Sequence, residues 1–427
     1  MNTENQICDL SVIILAFNTA NNLSILLPIV RQILNDINIS YEIIVVDENA
    51  TQETLSIVNE NLCSLLTPDI KGYGSALQAG IKKAHGIYIL TMEADLTYSP
   101  DFIQILWDTH QSADIIIASR YIRGGRAMMP LSRLVLSRIL NQVFSRGLDL
   151  KVRDMSSGYR LYKASTIRRK LYKSKDFNIL QEILVNALIE GYTVSEVPFT
   201  YQPRLHGSSH ARVFKFGIKY TQTFYDLWKL RNSIASADYD ARAFETFMPP
   251  QRYWQRQRFK HVIQMIRDEN KCLDVGCGSS RILGALPKGS IGLDIQMRKL
   301  RYSRIYNKIY VNGSATSLPF ANKSINCVIC SQVIEHIPRG SVLSELDRVL
   351  LPNGLLILGT PDYSNWEWIL IEKLYKLILP QAYADEHITH YTYQEIIYEF
   401  VEKRGYKMKD RRYILKGELI LSLRKPK

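Results

Sequence analysis

The sequence has few cysteines and no long apolar run, and both absences exclude whole classes of protein. Six cysteines are scattered over 427 residues, which is not the pattern of a disulfide-stapled secreted domain. No apolar stretch reaches the roughly 18 residues that a membrane-spanning helix needs. The polar start at residues 1–9 lacks the features of a signal peptide. These absences predict a cytoplasmic protein with room for two or three globular domains.

Acidic residues are scarce in one part of the chain. The net charge is +13, and between Ser119 and Lys173 fourteen Lys and Arg residues stand against two acidic ones. Such a block suits phosphates, an anionic membrane or nucleic acid. A merely solvated face is disfavoured because apolar residues interleave with the arginines. We predict no nucleic acid as partner, because the arginines fall where phosphate-bearing substrates are expected.

Short apolar segments alternate with amphipathic ones in both halves of the chain. In the first half, strand-like segments lie at 10–17, 41–47, 87–92 and 114–119, with helix-like segments between them. This alternation predicts an α/β fold, a doubly wound and mostly parallel sheet covered by helices on both faces. A second such alternation begins at Lys271. We therefore predict two doubly wound domains at 1–232 and 261–427, joined by a linker and leading helix at 233–260.

Polar side chains end the predicted strands of the first half, where the carboxyl edge of a parallel sheet binds ligands. Glu93 and Asp95 offer two carboxylates of the kind that a hard divalent cation prefers. A solvated strand end is the alternative for this pair taken alone. The segment 72–76 opens a predicted helix, whose N–H groups favour phosphate. Arg120 supplies a guanidinium suited to diphosphate oxygens.

Taken in order, and followed by the segments 156–160 and 204–209, these motifs resemble those of polyprenyl-phosphate glycosyltransferases. That family is the dolichyl-phosphate mannose synthase type of GT-A enzyme, and the resemblance covers roughly residues 9–230. It implies a GT-A fold and sugar transfer from a GDP- or UDP-sugar to a polyprenyl phosphate at the cytoplasmic face of a membrane. Because a phosphate monoester is already anionic at neutral pH, the acceptor needs no strong general base.

The resemblance also implies residue roles in this chain. Glu93, Asp95 and Arg120 would be catalytic, with Mg²⁺ or Mn²⁺ held by Glu93 and Asp95. The residues expected to bind the nucleotide sugar are Asn18, Asp47, Gly74, Glu93, Asp95, Arg120, Arg204 and Ser208. The residues expected to bind the acceptor phosphate are Arg133, Ser137 and Arg160.

Attachment to a membrane without a spanning helix needs another surface. The segments Met128–Leu150 and Val213–Arg231 mix apolar and basic residues at helical spacing. Each could lie in the membrane interface or pack on the sheet as a core helix, and the sequence leaves both open. We predict a peripheral protein that meets an anionic membrane surface.

A glycine-rich turn follows the first predicted strand of the second half. The glycines at 276 and 278 let the backbone approach a ligand closely. Asp294 ends the next strand eighteen residues after Gly276, where a carboxylate suits the two hydroxyls of a ribose. An NAD-binding unit is the rival interpretation, but the glycine spacing lacks GxGxxG. The CxxC formed by Cys327 and Cys330 lies in an apolar run and is predicted to be buried strand rather than a metal or redox site.

With the Leu-Pro-Phe segment at 318–320 and Pro-Asn-Gly at 352–354, this half resembles class I S-adenosylmethionine (SAM) methyltransferases over about residues 250–427. The resemblance implies SAM as cofactor. The residues expected to bind it are Asp274, Gly276, Cys277, Gly278, Asp294, Ile295, Ser314, Ala315, Ser331 and Gln332. For the methyl acceptor, His336 is interpreted as structural, and the segment 384–391 offers either candidate bases or an ordinary polar loop.

The sequence thus favours a bifunctional transferase that combines glycosyl transfer with SAM-dependent methylation of a small-molecule, sugar or lipid-linked acceptor. The alternative is a glycosyltransferase acting on a soluble acceptor, with one half a non-catalytic binding module.

Overall fold

The computed structural model describes residues 7–203, 213–246, 249–378 and 387–427. The chain divides into two compact units. One comprises Met1–Leu188 and Tyr192–Trp228, and the other comprises Ile189–Gly191 and Lys229–Lys427. The division falls close to residue 232, where the sequence analysis ends the first domain.

The first half contains a seven-stranded sheet and a separate two-stranded one. The strands are β1 (Leu10–Ala16), β2 (Tyr41–Asp47), β3 (Ser64–Leu66), β4 (Tyr88–Glu93), β5 (Ile115–Ser119), β6 (Arg126–Ala127), β7 (Arg160–Lys163), β8 (Val194–Pro198) and β9 (Thr200–Tyr201). The large sheet has the order β3-β2-β1-β4-β7-β5-β8, and β6 pairs with β9. All neighbours in the large sheet are parallel except β7, which is antiparallel to β4 and β5. The prediction of a mostly parallel sheet is confirmed.

Helices accompany these strands because their apolar residues recur at helical spacing. They are α1 (Ala20–Ile37), α2 (Gln52–Glu60), α3 (Tyr73–Lys83), α4 (Phe102–Asp108), α5 (Leu131–Gly147), α6 (Ala164–Ile167), α7 (Ile179–Ile189) and α8 (Val213–Arg231). In α1, Leu23, Leu27, Val30 and Leu34 form one buried stripe. The central strands β1 and β2 are nearly continuous apolar runs, as expected for a sheet buried on both faces.

The second unit is also an α/β sandwich. Its strands are β10 (Leu273–Val275), β11 (Ile291–Asp294), β12 (Ile309–Asn312), β13 (Ile325–Ser331), β14 (Leu350–Pro361), β15 (Lys407–Ile414) and β16 (Glu418–Arg424). They form one sheet in the order β12-β11-β10-β13-β14-β16-β15. Only β16 breaks the parallel pattern, since it is antiparallel to both β14 and β15. The prediction of a second α/β domain is confirmed.

Seven helices and three shorter turns connect the strands described in this unit. The helices are α9 (Tyr239–Glu245), α10 (Pro249–Met265), α11 (Arg281–Ala285), α12 (Met297–Ser303), α13 (Ser341–Val349), α14 (Trp366–Ile378) and α15 (Tyr393–Ile397). Arg304–Tyr306 and Ile334–His336 are 3-10 turns, and Tyr398–Glu402 is a π turn. Helix α9 lies inside the segment interpreted as a linker, so that segment contains ordered structure of its own. Among the residues described, no helix is both long and apolar enough to cross a membrane.

Candidate active sites

Two carboxylates end strands on either side of β1 in the first unit. Asp47 is the last residue of β2 and Glu93 the last of β4, and β1 pairs in parallel with both strands. Their side chains therefore share the carboxyl edge of the sheet. Asp47 is buried, its Oδ1 accepts the Asn49 N–H at 3.0 Å, and its Oδ2 has no hydrogen-bond partner among the residues that the structure describes. A buried acceptor without a donor is costly, which fits a site that a ligand's N–H or O–H completes.

The absence of a side chain at Gly158 leaves room for the side chains of Glu93 and Tyr73. A Cβ placed on Gly158 would lie 3.2 Å from Glu93 Oε1 and would overlap the Tyr73 hydroxyl. Burial, with the Glu93 charge adding to it, holds the pKa of Tyr73 well above its usual range. Tyr73 therefore stays a neutral neighbour of the carboxylate. Gly158 and Tyr73 belong to the motif segments 156–160 and 72–76, but neither is among the predicted site residues.

Asp95 lies two residues beyond Glu93 and is fixed by its own turn. Its Oδ1 accepts the Thr97 N–H at 3.1 Å and the Thr97 hydroxyl at 2.5 Å. The carboxylates of Glu93 and Asp95, two residues apart at one sheet edge, form an oxygen-donor set that suits a hard divalent cation, so the residues present fit the expected Mg²⁺ or Mn²⁺.

Arg120 is held in a buried ion pair rather than standing open to solvent. Its Nε and Nη2 each donate to the Asp154 carboxylate at 2.7 Å, and its backbone N–H donates to Asp154 Oδ2 at 2.9 Å. Burial alone would lower the pKa of Arg120, but the Asp154 charge outweighs it and raises that pKa further above its usual value. Nη2 also donates to Ser156 Oγ at 2.8 Å. The diphosphate role of Arg120 stays a prediction, with Asp154 as a competing partner that the sequence analysis missed.

Tyr121 connects this ion pair to helix α5. Its ring lies 5.1 Å from the Arg120 guanidinium carbon, and its hydroxyl donates to Ser137 Oγ at 2.7 Å. Arg133 and Ser137 are four residues apart on α5, so they share one face of the helix. The structure thus brings the predicted acceptor residue Ser137 to the same region as Arg120.

Gly74 has a different role from the one predicted. Its N–H donates to the Lys175 carbonyl at 2.8 Å, and a Cβ there would lie 2.6 Å from the Ser174 carbonyl oxygen. The Gly72 N–H is likewise taken, by Glu48 Oε1 at 2.8 Å. We therefore correct the prediction: the glycine admits a neighbouring chain segment against the start of α3, and its N–H is already occupied.

The acceptor-phosphate prediction for Arg160 also needs correction. Arg160 opens β7, in the middle of the sheet, and is completely buried. Its three donor groups bind the carbonyl oxygens of Ser157 at 2.7 Å, Leu180 at 2.9 Å and Met155 at 2.7 Å. The guanidinium therefore shapes the loop that precedes Gly158 and has no surface to offer a phosphate.

The remaining residues predicted for the first site divide into two groups. Asn18 lies at the same sheet edge, with a left-handed backbone at φ 52°, and its Oδ1 accepts from Asn49 Nδ2 at 3.4 Å. Arg204 and Ser208 lie outside the described residues. Their contribution stays a prediction.

The glycine turn of the second unit is built as the sequence predicts. Gly276 and Gly278 have left-handed backbones, at φ 68° and 54°. The Gly278 N–H donates to Asp294 Oδ2 at 2.8 Å, and Asp294 Oδ1 accepts the Gln296 N–H at 2.7 Å. A side chain at 278 would also meet Asp240, since a Cβ there would lie 2.6 Å from Asp240 Oδ2. Only glycine fits this turn.

Asp240, on α9, is a part of this site that the sequence analysis missed. Its Oδ2 accepts the N–H and the hydroxyl of Ser279, both at 3.1 Å, and pairs with Lys299 Nζ at 3.2 Å. Although burial would raise it, the Lys299 charge and the Ser279 hydrogen bonds hold the pKa of Asp240 below its usual value. The signal available in sequence was weak, because the surrounding residues resemble a linker.

Two polar atoms at the end of β13 are buried and lack partners within the described chain. They are Ser331 Oγ and Gln332 Nε2. Gln332 has a left-handed backbone at φ 60°, and its N–H donates to the Gly359 carbonyl at 2.8 Å. A buried donor and a buried hydroxyl without partners fit a polar ligand at this edge. These atoms agree with the position expected for the cofactor.

The other predicted cofactor residues surround the same edge. Burial, with Asp294 adding to it, raises the pKa of Asp274 to about 8. Cys277 and Ala315 are buried, whereas Ile295 is 70% exposed. The Ser314 hydroxyl lies 2.7 Å from the Thr316 hydroxyl. Their contacts with a cofactor stay predictions.

The two cysteines of the CxxC are buried residues of β13, with thiols that are not disulfide-bonded. A side-chain hydrogen bond with Cys272, together with burial, raises the pKa of Cys327 well above its usual range, and burial does the same for Cys330. Both thiols are therefore protonated packing residues of the sheet.

Each of the two units has an α/β fold with its candidate site residues at the carboxyl edge of the sheet. Family models agree with this division: residues 11–170 match the model "Glycosyl transferase family 2", and residues 273–358 match the model "Methyltransferase domain". The N-terminal part of the chain therefore contains a family 2 glycosyltransferase domain, and the C-terminal part contains a SAM-dependent methyltransferase domain.

Relatives of known type match the N-terminal part. A dolichol-phosphate mannosyltransferase from Pyrococcus furiosus is 31% identical over 234 residues, covering 52% of this chain and 65% of the relative. A polyprenol monophosphomannose synthase from Mycolicibacterium smegmatis is 28% identical over 216 residues, covering 46% of this chain and 79% of the relative. The chain therefore spans less than two thirds of the Pyrococcus relative.

Solved structures resemble each half. Glucosyl-3-phosphoglycerate synthase from Mycobacterium tuberculosis, with Mn²⁺, UDP and glucosyl-3-phosphoglycerate, aligns with a TM-score of 0.41 and 13% identity over 53% of this chain and 80% of that chain. The YcgJ protein from Bacillus subtilis aligns with a TM-score of 0.34 and 14% identity over 40% of this chain and 99% of that chain.

Proposed function

We propose that the first domain transfers a sugar from a GDP- or UDP-sugar to a polyprenyl phosphate, and that the second domain methylates an acceptor with SAM. The observation that carries the first part is the shared sheet edge of Asp47 and Glu93, with Asp95 two residues beyond. Identity to a dolichol-phosphate mannosyltransferase and a polyprenol monophosphomannose synthase supports the choice of acceptor.

The chemistry of this transfer asks little of a general base. An oxygen of the lipid phosphate is anionic at neutral pH and attacks the anomeric carbon directly, while the sugar leaves its diphosphate. A divalent cation supplies charge stabilisation for that leaving group when it is bound. Glu93 and Asp95 would hold the cation. Asp47 Oδ2, which has no partner within the described ranges, would accept a hydrogen bond from the nucleotide.

Helix α5 supports an acceptor that lies in a membrane. Its buried residues are only Asn141 and Phe144. Its exposed apolar residues are Leu131, Val135, Leu136, Ile139 and Val143. We call these five residues the apolar face of α5. Arg133, Arg138 and Arg146 lie on the same helix, so the helix joins apolar surface with positive charge, as interfacial helices do. This favours the interfacial alternative over a core helix for the first of the two candidate segments.

The methyltransferase half is proposed to bind SAM across its carboxyl edge. Asp294 would accept from ribose hydroxyls, and the Gly276 and Gly278 turn would admit the methionine part. Ser331 Oγ and Gln332 Nε2 would complete their hydrogen bonds with the cofactor or acceptor. The methyl acceptor is proposed to be a small molecule, a sugar or a lipid-linked sugar.

A single donor screen tests the first activity. The purified chain is incubated with anionic vesicles containing a polyprenyl phosphate, with radiolabelled GDP- and UDP-sugars, and with Mg²⁺ or Mn²⁺. We expect label in the organic phase with one class of donor only, and none when the cation is chelated. Transfer to a soluble sugar, with none to lipid, would overturn the polyprenyl-phosphate proposal.

A further inference from the structure

Three ligand-type side chains meet at the carboxyl edge of the second sheet, outside the residues assigned to SAM. Glu335 and His336 belong to the 3-10 turn that follows β13, and His387 comes from a distant part of the chain. One ligand atom from each lies within 4.8 Å of the others. Because the turn begins two residues after Gln332, the cluster lies beside the proposed cofactor site.

Backbone hydrogen bonds build this meeting point. The Thr389 N–H donates to the Glu335 carbonyl at 2.9 Å, and the Thr389 hydroxyl donates to the Ile337 carbonyl at 2.7 Å. These two bonds clamp the segment that carries His387 onto the turn that carries His336. The rings of the two histidines consequently lie 5.0 Å apart, centroid to centroid.

Glu335 brings a buried carboxyl oxygen to the cluster. The residue is completely buried, and its Oε1 has no hydrogen-bond partner in the described structure. Its Oε2 accepts the Thr360 hydroxyl at 3.2 Å. A buried carboxylate is stable in ionised form only when it is paired or binds a metal.

His387 is oriented in the way that metal-binding histidines usually are. Its Nδ1 is hydrogen-bonded to the Tyr363 hydroxyl at 2.7 Å and lies 3.6 Å from Glu372 Oε1. Partners on one ring nitrogen fix the ring and direct the other nitrogen, Nε2, as the ligand. Glu372 and Tyr363 would thus be the outer residues of a site whose inner residues are His387, His336 and Glu335.

We propose that Glu335, His336 and His387 bind a divalent transition metal in the methyltransferase domain. Two imidazoles and one carboxylate favour Zn²⁺, Mn²⁺ or Fe²⁺ over Mg²⁺, which prefers oxygen ligands. Three protein ligands leave coordination positions open, as in catalytic rather than structural sites. The catalytic role of this metal rests on the proposed SAM-dependent activity, whereas the metal site itself is inferred from the side-chain geometry.

The open positions fit an oxygen of the methyl acceptor. A hydroxyl bound there is acidified and loses its proton to solvent. The resulting oxygen attacks the methyl carbon of SAM, the carbon–sulfur bond breaks, and its electron pair stays on sulfur. The products are a methyl ether, S-adenosylhomocysteine and one proton. An acceptor with neighbouring hydroxyls, such as a sugar, could occupy two open positions together.

The test separates this site from the carboxylate site of the first domain. The full chain carrying Asp95→Asn, which weakens the first site, is titrated with Mn²⁺ and followed by electron paramagnetic resonance, and with Zn²⁺ by equilibrium dialysis. We expect about one cation per chain. Adding His387→Ala should weaken binding at least about tenfold, and adding Tyr363→Phe should weaken it about tenfold through the outer residues.

Ile388→Ala is the matched control, because it truncates an exposed side chain with no ligand atom in the same segment. Cation binding should be unchanged in this control, and SAM affinity should be unchanged in every variant, which shows that the domain is folded. The proposal is overturned if the Asp95→Asn chain binds no cation, or if His387→Ala binds as tightly as its parent. Cation binding without SAM binding would instead reject the methyltransferase activity and leave the metal site standing.

Discussion

The two halves of the chain place their sites at the same kind of sheet edge but use glycine in opposite ways. In the second unit, Gly276 and Gly278 have positive φ in a turn that leads from one strand to the next helix. In the first unit, Gly74 lies at the start of a helix, where the carbonyls of 174 and 175 press against it. Similar glycine spacing thus forms a turn that we propose admits a ligand in the second half, and it admits a neighbouring chain segment in the first half.

The arginines of the first unit also differ in their surroundings, some being buried and others lying on a surface helix. Arg120 and Arg160 occur in the basic block, yet both are buried: Arg120 pairs with Asp154, and Arg160 donates to backbone carbonyl oxygens. The arginines of α5 belong to a helix with exposed apolar residues. The basic block therefore contains two groups of arginines, one buried in the domain and one on the surface helix α5. Only the second group can contact a membrane.

The substitution Asp95→Asn is expected to have the largest effect, and it should affect the first domain without affecting the second. If the first site acts through a cation on Glu93 and Asp95, the loss of one charged ligand should lower glycosyl transfer about a thousandfold, the upper end for one electrostatic stabiliser. Transfer is measured with radiolabelled nucleotide sugar, and SAM affinity by calorimetry should not change.

Asp101→Asn is the matched control, since it removes an exposed carboxylate six residues away. Transfer by this control should equal that of the unaltered chain. Full activity in Asp95→Asn would remove the carboxylate pair from the site.

Features that depend on local sequence patterns can be predicted from the sequence, whereas features that depend on contacts between distant residues cannot. The alternation of strands and helices, and the polar residues at strand ends, are local patterns, so both folds and both edges were predictable. Arg160 was wrongly assigned because β7 is a short antiparallel insertion that begins with a charged residue. Asp154, Asp240 and His387 act through partners far away in sequence, and no local pattern reveals such pairs.

A second prediction concerns the buried ion pair that distinguishes the first unit. Asp154→Asn leaves the Arg120 charge without its partner, so we expect a loss of about 3 kcal/mol in the free energy of unfolding. Urea unfolding followed by circular dichroism measures it. Asp108→Asn, which changes an exposed carboxylate, is the control and should have little effect.

The same pair predicts a pH dependence with a definite sign. Burial would raise the pKa of Asp154, but Arg120 holds that pKa below its usual value of 3.8. The stabilisation is therefore present above about pH 4 and is lost as the pH falls below it. Unfolding measured from pH 7 to pH 3 should show a shallower decline in Asp154→Asn. An unchanged slope would mean that Arg120 does not stabilise the carboxylate.

The third prediction tests the second site alone. Asp294 accepts the Gly278 N–H, so Asp294→Ala should both loosen the turn and remove a ribose acceptor. We expect SAM affinity to fall about ten- to a hundredfold, in line with the loss of hydrogen bonds to a charged group. The rise in melting temperature with SAM should shrink accordingly.

Asp268→Ala, at an exposed position of the same unit, is the control and should keep the full thermal shift. A normal shift in Asp294→Ala would remove the carboxylate from the SAM site. An absent shift in the unaltered chain would support the alternative of a non-catalytic second half.

The smallest expected effect is on membrane binding by the surface of the first unit, a property that we do not propose for the second unit. Replacing Leu136 and Ile139 with serine removes two exposed apolar side chains from the apolar face of α5 while leaving Arg133 and Arg138 in place. Partial insertion of such side chains gives only modest binding energy, so we expect co-sedimentation with anionic vesicles to weaken about tenfold. Leu171→Ser is the matched control, because Leu171 is 98% exposed but does not belong to α5. Raised salt should release the unaltered chain through screening of its arginines. Equal losses in the control and in the α5 variant would show that exposed apolar area alone, and not this helix, meets the membrane, and the lipid acceptor would lose its structural support.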